Sequence, residues 1–271
     1  MDFGISTRCF GTTALTVDLL ERLRRGNFNV IELYGVMPGF DYHNRSLLRS
    51  VARWFGEVGL PPPSLHLPTE RPGEDLLGPG PIERQRALDG LKRCLDLCDL
   101  MPLRFVVLHL GAQGQPFNPV AFDHAYRAIA TIQSFAGVRI LLETLANDIA
   151  TFERIRQFTD AAQIRDVGIC YDTGHGEWEH RPDAIHLNDN NRDEDEHLWP
   201  FEGKRNWPAL VEQIVLSEFD GPMILEGRDE EFGKAHDGES RLKDLIDEAR
   251  SSIDEFRLKY RLPAPRQKDE E

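Results

Sequence analysis

Seven short apolar stretches of this sequence end in, or just before, a side chain that can hold a cation or carry a proton: Glu32, His66, His109, Glu143, Asp172 with His175, His186, and Glu226. Several of these residues break runs that are otherwise wholly apolar, as in Phe105-Val106-Val107-Leu108-His109 and Ile140-Leu141-Leu142-Glu143. A carboxylate buried in such a run is costly unless a cation or hydrogen bonds compensate it. One histidine closing a strand is ordinarily a hydrogen-bonded core or rim residue, so the argument rests on the recurrence. Imidazole together with carboxylate suits zinc, manganese, iron or cobalt better than calcium. The sequence therefore predicts a divalent-metal cofactor, with manganese or zinc preferred and magnesium, cobalt or iron admitted. The four cysteines, Cys9, Cys94, Cys98 and Cys170, have neither a disulfide framework nor zinc-ribbon spacing and read as reduced, buried thiols.

Placing so many polar groups at strand ends requires strands that run the same way. Short β-branched or aromatic runs recur along the chain, each followed by apolar residues at helical spacing. The predicted strands are Phe3–Ser6, Val30–Leu33, Ser64–Leu67, Phe105–Leu108, Arg139–Leu142, Val167–Cys170, Ala184–Leu187 and Met223–Leu225. The predicted helices are Val17–Arg25, Ser46–Val58, Ile82–Leu100, Pro119–Phe135, Ile149–Ala162, Trp207–Phe219 and Ser240–Tyr260. Asp18, Asn44 or Ser46, and Asp148 are the candidate helix starts, with Gly26 and Gly59 as stops. An open doubly wound sheet would carry a glycine-rich loop after the first strand, and Thr7-Arg8-Cys9-Phe10 is not one. The predicted fold class is α/β, a closed TIM (β/α)₈ barrel over residues 1–262, with 263–271 as a charged, proline-containing tail. Only 13 residues separate Cys170 from Ala184, so the crossover between strands six and seven is expected to be abbreviated, without a full helix. The polar residues then sit on the carboxyl-terminal face, where barrels of this kind build active sites.

Composition narrows the function classes. Lys plus Arg total 32 against 46 Asp plus Glu, a formal charge of −14, which repels nucleic acid unless a local basic groove overrides it. The longest apolar runs are about five or six residues, far below the roughly 20 that span a bilayer, so no membrane association is expected. Met1-Asp2-Phe3-Gly4 enters a strand directly, without a signal-peptide pattern, and the expected location is cytoplasmic. No serine occupies a nucleophile-elbow context.

Seven phrases, in order, resemble the xylose isomerase-like TIM-barrel superfamily: Ser64-Leu65-His66-Leu67-Pro68, Val107-Leu108-His109-Leu110-Gly111, Leu142-Glu143-Thr144, Asp172-Thr173-Gly174-His175, His186-Leu187-Asn188-Asp189, Asp195-Glu196-His197 and Ile224-Leu225-Glu226-Gly227. The resemblance runs from Phe3 to about Gly227. Each phrase is weak alone; their order and spacing together are specific. The superfamily holds sugar-phosphate isomerases and epimerases, ketose 3-epimerases, and the endonuclease IV repair enzymes.

The sugar-acting branch implies one metal held by Glu143, Asp172, His186 and Glu226, with His175 and Arg192 on the substrate. A metal would polarise a sugar carbonyl and hydroxyl and stabilise an enediolate, while Glu143 and Glu226 act as base and acid. Further substrate-binding candidates are His66, His109 and Glu32, the last equally suited to a rim salt bridge. The endonuclease IV branch implies a three-metal cluster on His66, His109, Glu143, Asp172, His175, His186, Asp195, His197 and Glu226. Acidic loops at Glu177–Glu179, Glu194–Glu196 and Asp229–Glu231 oppose a grip on DNA. The preferred expectation is therefore a metal-dependent sugar, sugar phosphate or polyol isomerase or epimerase. The alternatives are an AP endonuclease-like phosphodiesterase and a non-catalytic ligand-binding barrel. The expected partner is a small carbohydrate rather than nucleic acid, and relatives of this kind are often homo-oligomers. Trp178, Trp199 and Trp207 are read as packing residues first and pocket walls second.

Overall fold

The structure, a computed structural model, describes residues 1–68, 75–161, 164–191 and 195–260. Arg192, Ala162 and the 263–271 tail of the sequence reading lie outside those residues. Eight parallel strands close in sequential order: β1 (Asp2–Ser6), β2 (Ile31–Tyr34), β3 (Ser64–His66), β4 (Val106–Leu108), β5 (Ile140–Glu143), β6 (Val167–Asp172), β7 (Ala184–Leu187) and β8 (Pro222–Leu225), the last pairing back to β1. Around them run α1 (Val17–Arg25), α2 (Arg45–Val58), α3 (Pro81–Leu95), α4 (Pro119–Ala136), α5 (Phe152–Thr159), α6 (Trp207–Leu216) and α7 (Phe232–Tyr260). No helix joins β6 to β7, so the crossover is short as expected. No described helix is long and apolar enough to cross a membrane.

Local chemistry explains where element ends differ from expectation. Thr16, not Asp18, caps α1 by accepting from Leu19 N at 3.3 Å; Asp18 sits inside the first turn, where its charge favours the helix dipole. Asn44 caps α2 through Ser46 N and Leu47 N, and Gly59 ends it with φ +67°. Thr151 rather than Asp148 starts α5, because the Asn147 side chain already accepts from Ile149 N and Ala150 N in a separate turn. Helix α7 begins at Phe232, eight residues before the expected start at Ser240. Gly233 and Gly238 dilute its helical signal, while Phe232 anchors it edge-on against Phe10 and Phe28.

Register is what gathers the polar residues. Glu32 is level with Ser6 and Ser64, Val107 with His66 and Leu141, Glu143 with Cys170, and Asp172 with His186. Side chains alternate faces along a strand, so these residues, His109 and Glu226 share the face toward the barrel axis. Phe105, Val107, Leu141, Cys170 and Ala184 form a separate buried apolar cluster, a plug of the kind that fills barrel interiors in layers. One step farther along the strands, Glu143, Asp172 and His186 replace it with a polar layer. The larger core lies outside the strands, where α1 buries Leu19, Leu20 and Leu23, and α2 buries Leu48, Val51, Trp54 and Phe55.

Candidate active site

The polar layer holds Glu143, Asp172, His186 and Glu226, all buried, with one donor atom of each within 4.8 Å of the others. His186 Nδ1 lies 3.2 Å from Glu226 Oε2 and 3.4 Å from Glu143 Oε1. His186 Nδ1 and Glu226 Oε2 are buried without a hydrogen-bond partner. Buried polar atoms are normally satisfied, and convergence of an imidazole nitrogen with carboxylate oxygens at this spacing is how proteins hold a divalent ion. The residues present therefore fit such an ion.

Two further groups flank this quartet. His66 Nε2 and His109 Nε2 lie 3.1 and 3.0 Å from Glu143 Oε2 and 3.2 Å from each other. His175 Nε2 and His197 Nε2 each lie 3.1 Å from an oxygen of Asp195. His66, His175 and His197 each turn Nδ1 to a backbone carbonyl, of Leu67, Thr144 and Glu226 respectively. A histidine whose Nδ1–H donates to a carbonyl presents the Nε2 lone pair, the arrangement that orients imidazole toward metal. All nine residues named for the three-metal pattern thus meet at one end of the barrel. Arg192, expected on the substrate, lies outside the described residues.

Protonation follows the same logic. Burial pushes the Glu143 carboxyl up, but His109 and His186 outweigh it and hold it well below the usual carboxylate range. Burial likewise opposes Glu226, which His186 pulls down to about 2. Burial raises Asp172 to about 6 against the pull of His175. Burial disfavours the imidazolium of His175, yet Asp172 and Asp195 lift it to about 10. Carboxylates crowded at low dielectric draw protons onto neighbouring imidazoles; the site is anionic and collects positive charge.

Glu32 departs from expectation. It is fully buried rather than on the rim, with Ser64 Oγ donating to it at 2.9 Å and His186 Nε2 3.2 Å from Oε1. Enclosed beneath His186, it is shielded from a sugar hydroxyl, and its position suits orienting the imidazole. Asn188 escapes notice within its motif; its Nδ2 donates to Asp172 Oδ2 at 2.6 Å. Gly174 must stay glycine, since a Cβ there would lie 2.2 Å from Asn188 Oδ1. Arg8 is also missed by sequence reasoning, because the turn after β1 draws attention only as the place for a phosphate loop. Its Nε lies 3.7 Å from Glu226 Oε1 and its Nη1 3.4 Å from Tyr34 OH. With Tyr34 and Gln113 it helps to wall a cavity of about 250 Å³ that His66, His109, Glu143 and Glu226 also line. Trp199 and Trp207 are buried and bonded through Nε1 to Asp229 and Asp189, so they pack rather than line that cavity.

A family model described as xylose isomerase-like TIM barrel matches residues 20–255. The chain belongs to that family. A relative, the uncharacterized protein y4fM of Sinorhizobium fredii (strain NBRC 101917 / NGR234), is 26% identical over 205 residues, 62% of this chain and 64% of the relative. The match thus spans less than two thirds of that relative's length. Among solved structures, a D-tagatose 3-epimerase-like protein superposes with TM-score 0.73 at 18% identity, covering 93% of this chain and 100% of the other. L-ribulose 3-epimerase gives 0.74 at 14%, covering 94% and 97%. The TTHB071 protein of Thermus thermophilus, soaked with ZnCl2, gives 0.67 at 22%, covering 92% and 99%. At these identities the likeness is one of fold.

Proposed function

We propose that this protein is a divalent-metal-dependent isomerase or epimerase acting on a carbohydrate or polyol by proton transfer next to a carbonyl. The carrying observation is the buried quartet Glu143, Asp172, His186 and Glu226, with His186 Nδ1 and Glu226 Oε2 facing each other unpartnered. Family membership and the structural likeness to proteins named as sugar epimerases support it. When bound, a divalent ion would polarise a carbonyl and its neighbouring hydroxyl and stabilise negative charge developing between them. The quartet would hold it. Glu143 on β5 and Glu226 after β8 enter the cavity from well-separated strands, so one can remove an α-proton and the other return one from a different direction. His66 and His109 line the same cavity as candidates for hydroxyl contacts, and Glu32 holds the His186 ring from behind.

The test is exchange of the substrate α-hydrogen with solvent, followed by deuterium incorporation into a panel of ketoses, ketose phosphates and inosose-type polyols with manganese- or zinc-loaded protein. Incorporation that vanishes in Glu143→Gln and Glu226→Gln is the expected result; exchange at the wild-type rate in either variant contradicts the two-carboxylate mechanism.

A second reading is favoured by one observation: three donor groups lie at this end of the barrel, two of them sharing Glu143 and His186 and the third made of His175, Asp195 and His197. A cluster of ions could activate water and stabilise a leaving oxyanion in phosphodiester cleavage. The net charge of −14 and the acidic residues around the mouth weigh against a DNA substrate. Incision of a duplex carrying one abasic site by the metal-loaded protein would establish this reading instead.

A further inference from the structure

The segment between β7 and α6 carries Asp195 and His197, and the carboxylate beside its start is unusually occupied. Asp189 is buried. Its Oδ1 accepts from Asn190 N at 2.9 Å and Arg205 N at 3.0 Å, and its Oδ2 from Phe201 N at 3.1 Å and Trp207 Nε1 at 2.8 Å. Its backbone also exchanges two 2.8 Å hydrogen bonds with Leu198, the neighbour of His197. A charged acceptor gathering four donors is worth considerably more than four neutral pairs. The same segment holds two non-glycine residues in left-handed backbone, His197 at φ +47° and Phe201 at φ +74°. Such conformations persist only where the surroundings over-determine them, and Asp189 bonds directly to one and pins the neighbour of the other. Gly203 fits the same design, since a Cβ there would lie 2.4 Å from Asp189 Oδ1. Asp189 belongs to none of the clustered donor groups found among the described residues.

We infer that Asp189 is a positioning residue: it holds the β7–α6 segment so that His197 and Asp195 meet His175, and it acts on the site only through them. The inference rests on the second reading above solely in taking His175, Asp195 and His197 as a group that can hold an ion.

The experiment compares zinc-loaded wild type with Asp189→Asn, which keeps shape but offers an amide nitrogen to at least one pair of donors, and with Trp207→Phe, which removes a single donor. Asp183→Asn is the control for general loss of stability, because Asp183 accepts from Ile169 N at 2.9 Å and pairs with Arg139 at 2.7 Å, just before β7 rather than after it. Hydrogen exchange of residues 195–205 and bound zinc per chain are read together. Asp189→Asn should exchange that segment at least about tenfold faster and lose zinc held by His175, Asp195 and His197, while the zinc of the inner quartet stays, in keeping with the roughly 10- to 100-fold cost of disturbing groups that orient ligands. Trp207→Phe should shift exchange in the same direction by less, and Asp183→Asn should change neither readout. If wild type binds zinc only at the inner quartet but the exchange difference persists, the metal reading of the outer group fails and the positioning role stands. Unchanged exchange in both Asp189→Asn and Trp207→Phe, or an equal rise in Asp183→Asn, overturns the inference.

Discussion

The two halves of the site are held by different means. Glu143, Asp172 and His186 sit within β5, β6 and β7, and Glu226 one residue past β8. Their relative positions follow from strand register, which hydrogen bonds fix along the whole barrel. His175, Asp195 and His197 sit on connecting segments, and their placement depends on side chains bonding to backbone: Thr144 O for His175, Glu226 O for His197, and Asp189 for the segment between. The backbone of a strand-borne group is fixed by register, whereas the backbone of a loop-borne group with left-handed residues depends on the side chains that pin it.

The sharpest break of this comparison removes a shared member of the inner set. Glu226→Gln or Glu143→Gln should lower α-hydrogen exchange by about 10²–10⁴-fold, the range for losing a general acid or base, with the fold intact by circular dichroism. Glu32→Gln should come next. Removing the carboxylate behind His186 leaves the ring misoriented, and metal affinity by calorimetry should fall about 10- to 100-fold. Unchanged affinity would return Glu32 to the role of a buried structural acid. His197→Asn should act on the outer group alone: wild-type metal content at the inner quartet, with loss confined to any ion held with His175 and Asp195. A drop in inner-site affinity of similar size would erase the distinction between the halves. The smallest effect lies far from the chemistry. Thr16→Ala removes the cap of α1 and should cost about 1 kcal/mol by urea unfolding, with metal binding unaffected.

Much of the inner half is legible in the sequence because a strand period of two and a short apolar run are local signals. Glu143 after Ile140-Leu141-Leu142 and His186 after Ala184-Ile185 announce polar groups in a buried layer before any contact is known. The barrel is legible for the same reason, including the missing helix between β6 and β7, since chain length alone forbids it. Glu32 is visible as a polar interruption but not as the partner of His186, because 154 residues separate them and only closure of the barrel brings β2 and β7 together across its axis. Arg8 carries no periodic signal at all. The start of α7 is hidden by two glycines whose low helix propensity is overridden by the packing of Phe232 against Phe10 and Phe28.

Metal content tests the central claim most directly. Protein exchanged into zinc or manganese buffer and dialysed should retain at least one ion per chain by elemental analysis, and Glu226→Gln and His186→Ala should each reduce that retention. Wild-type protein that retains neither metal, under conditions where it is folded, would contradict a metal-dependent site on Glu143, Asp172, His186 and Glu226.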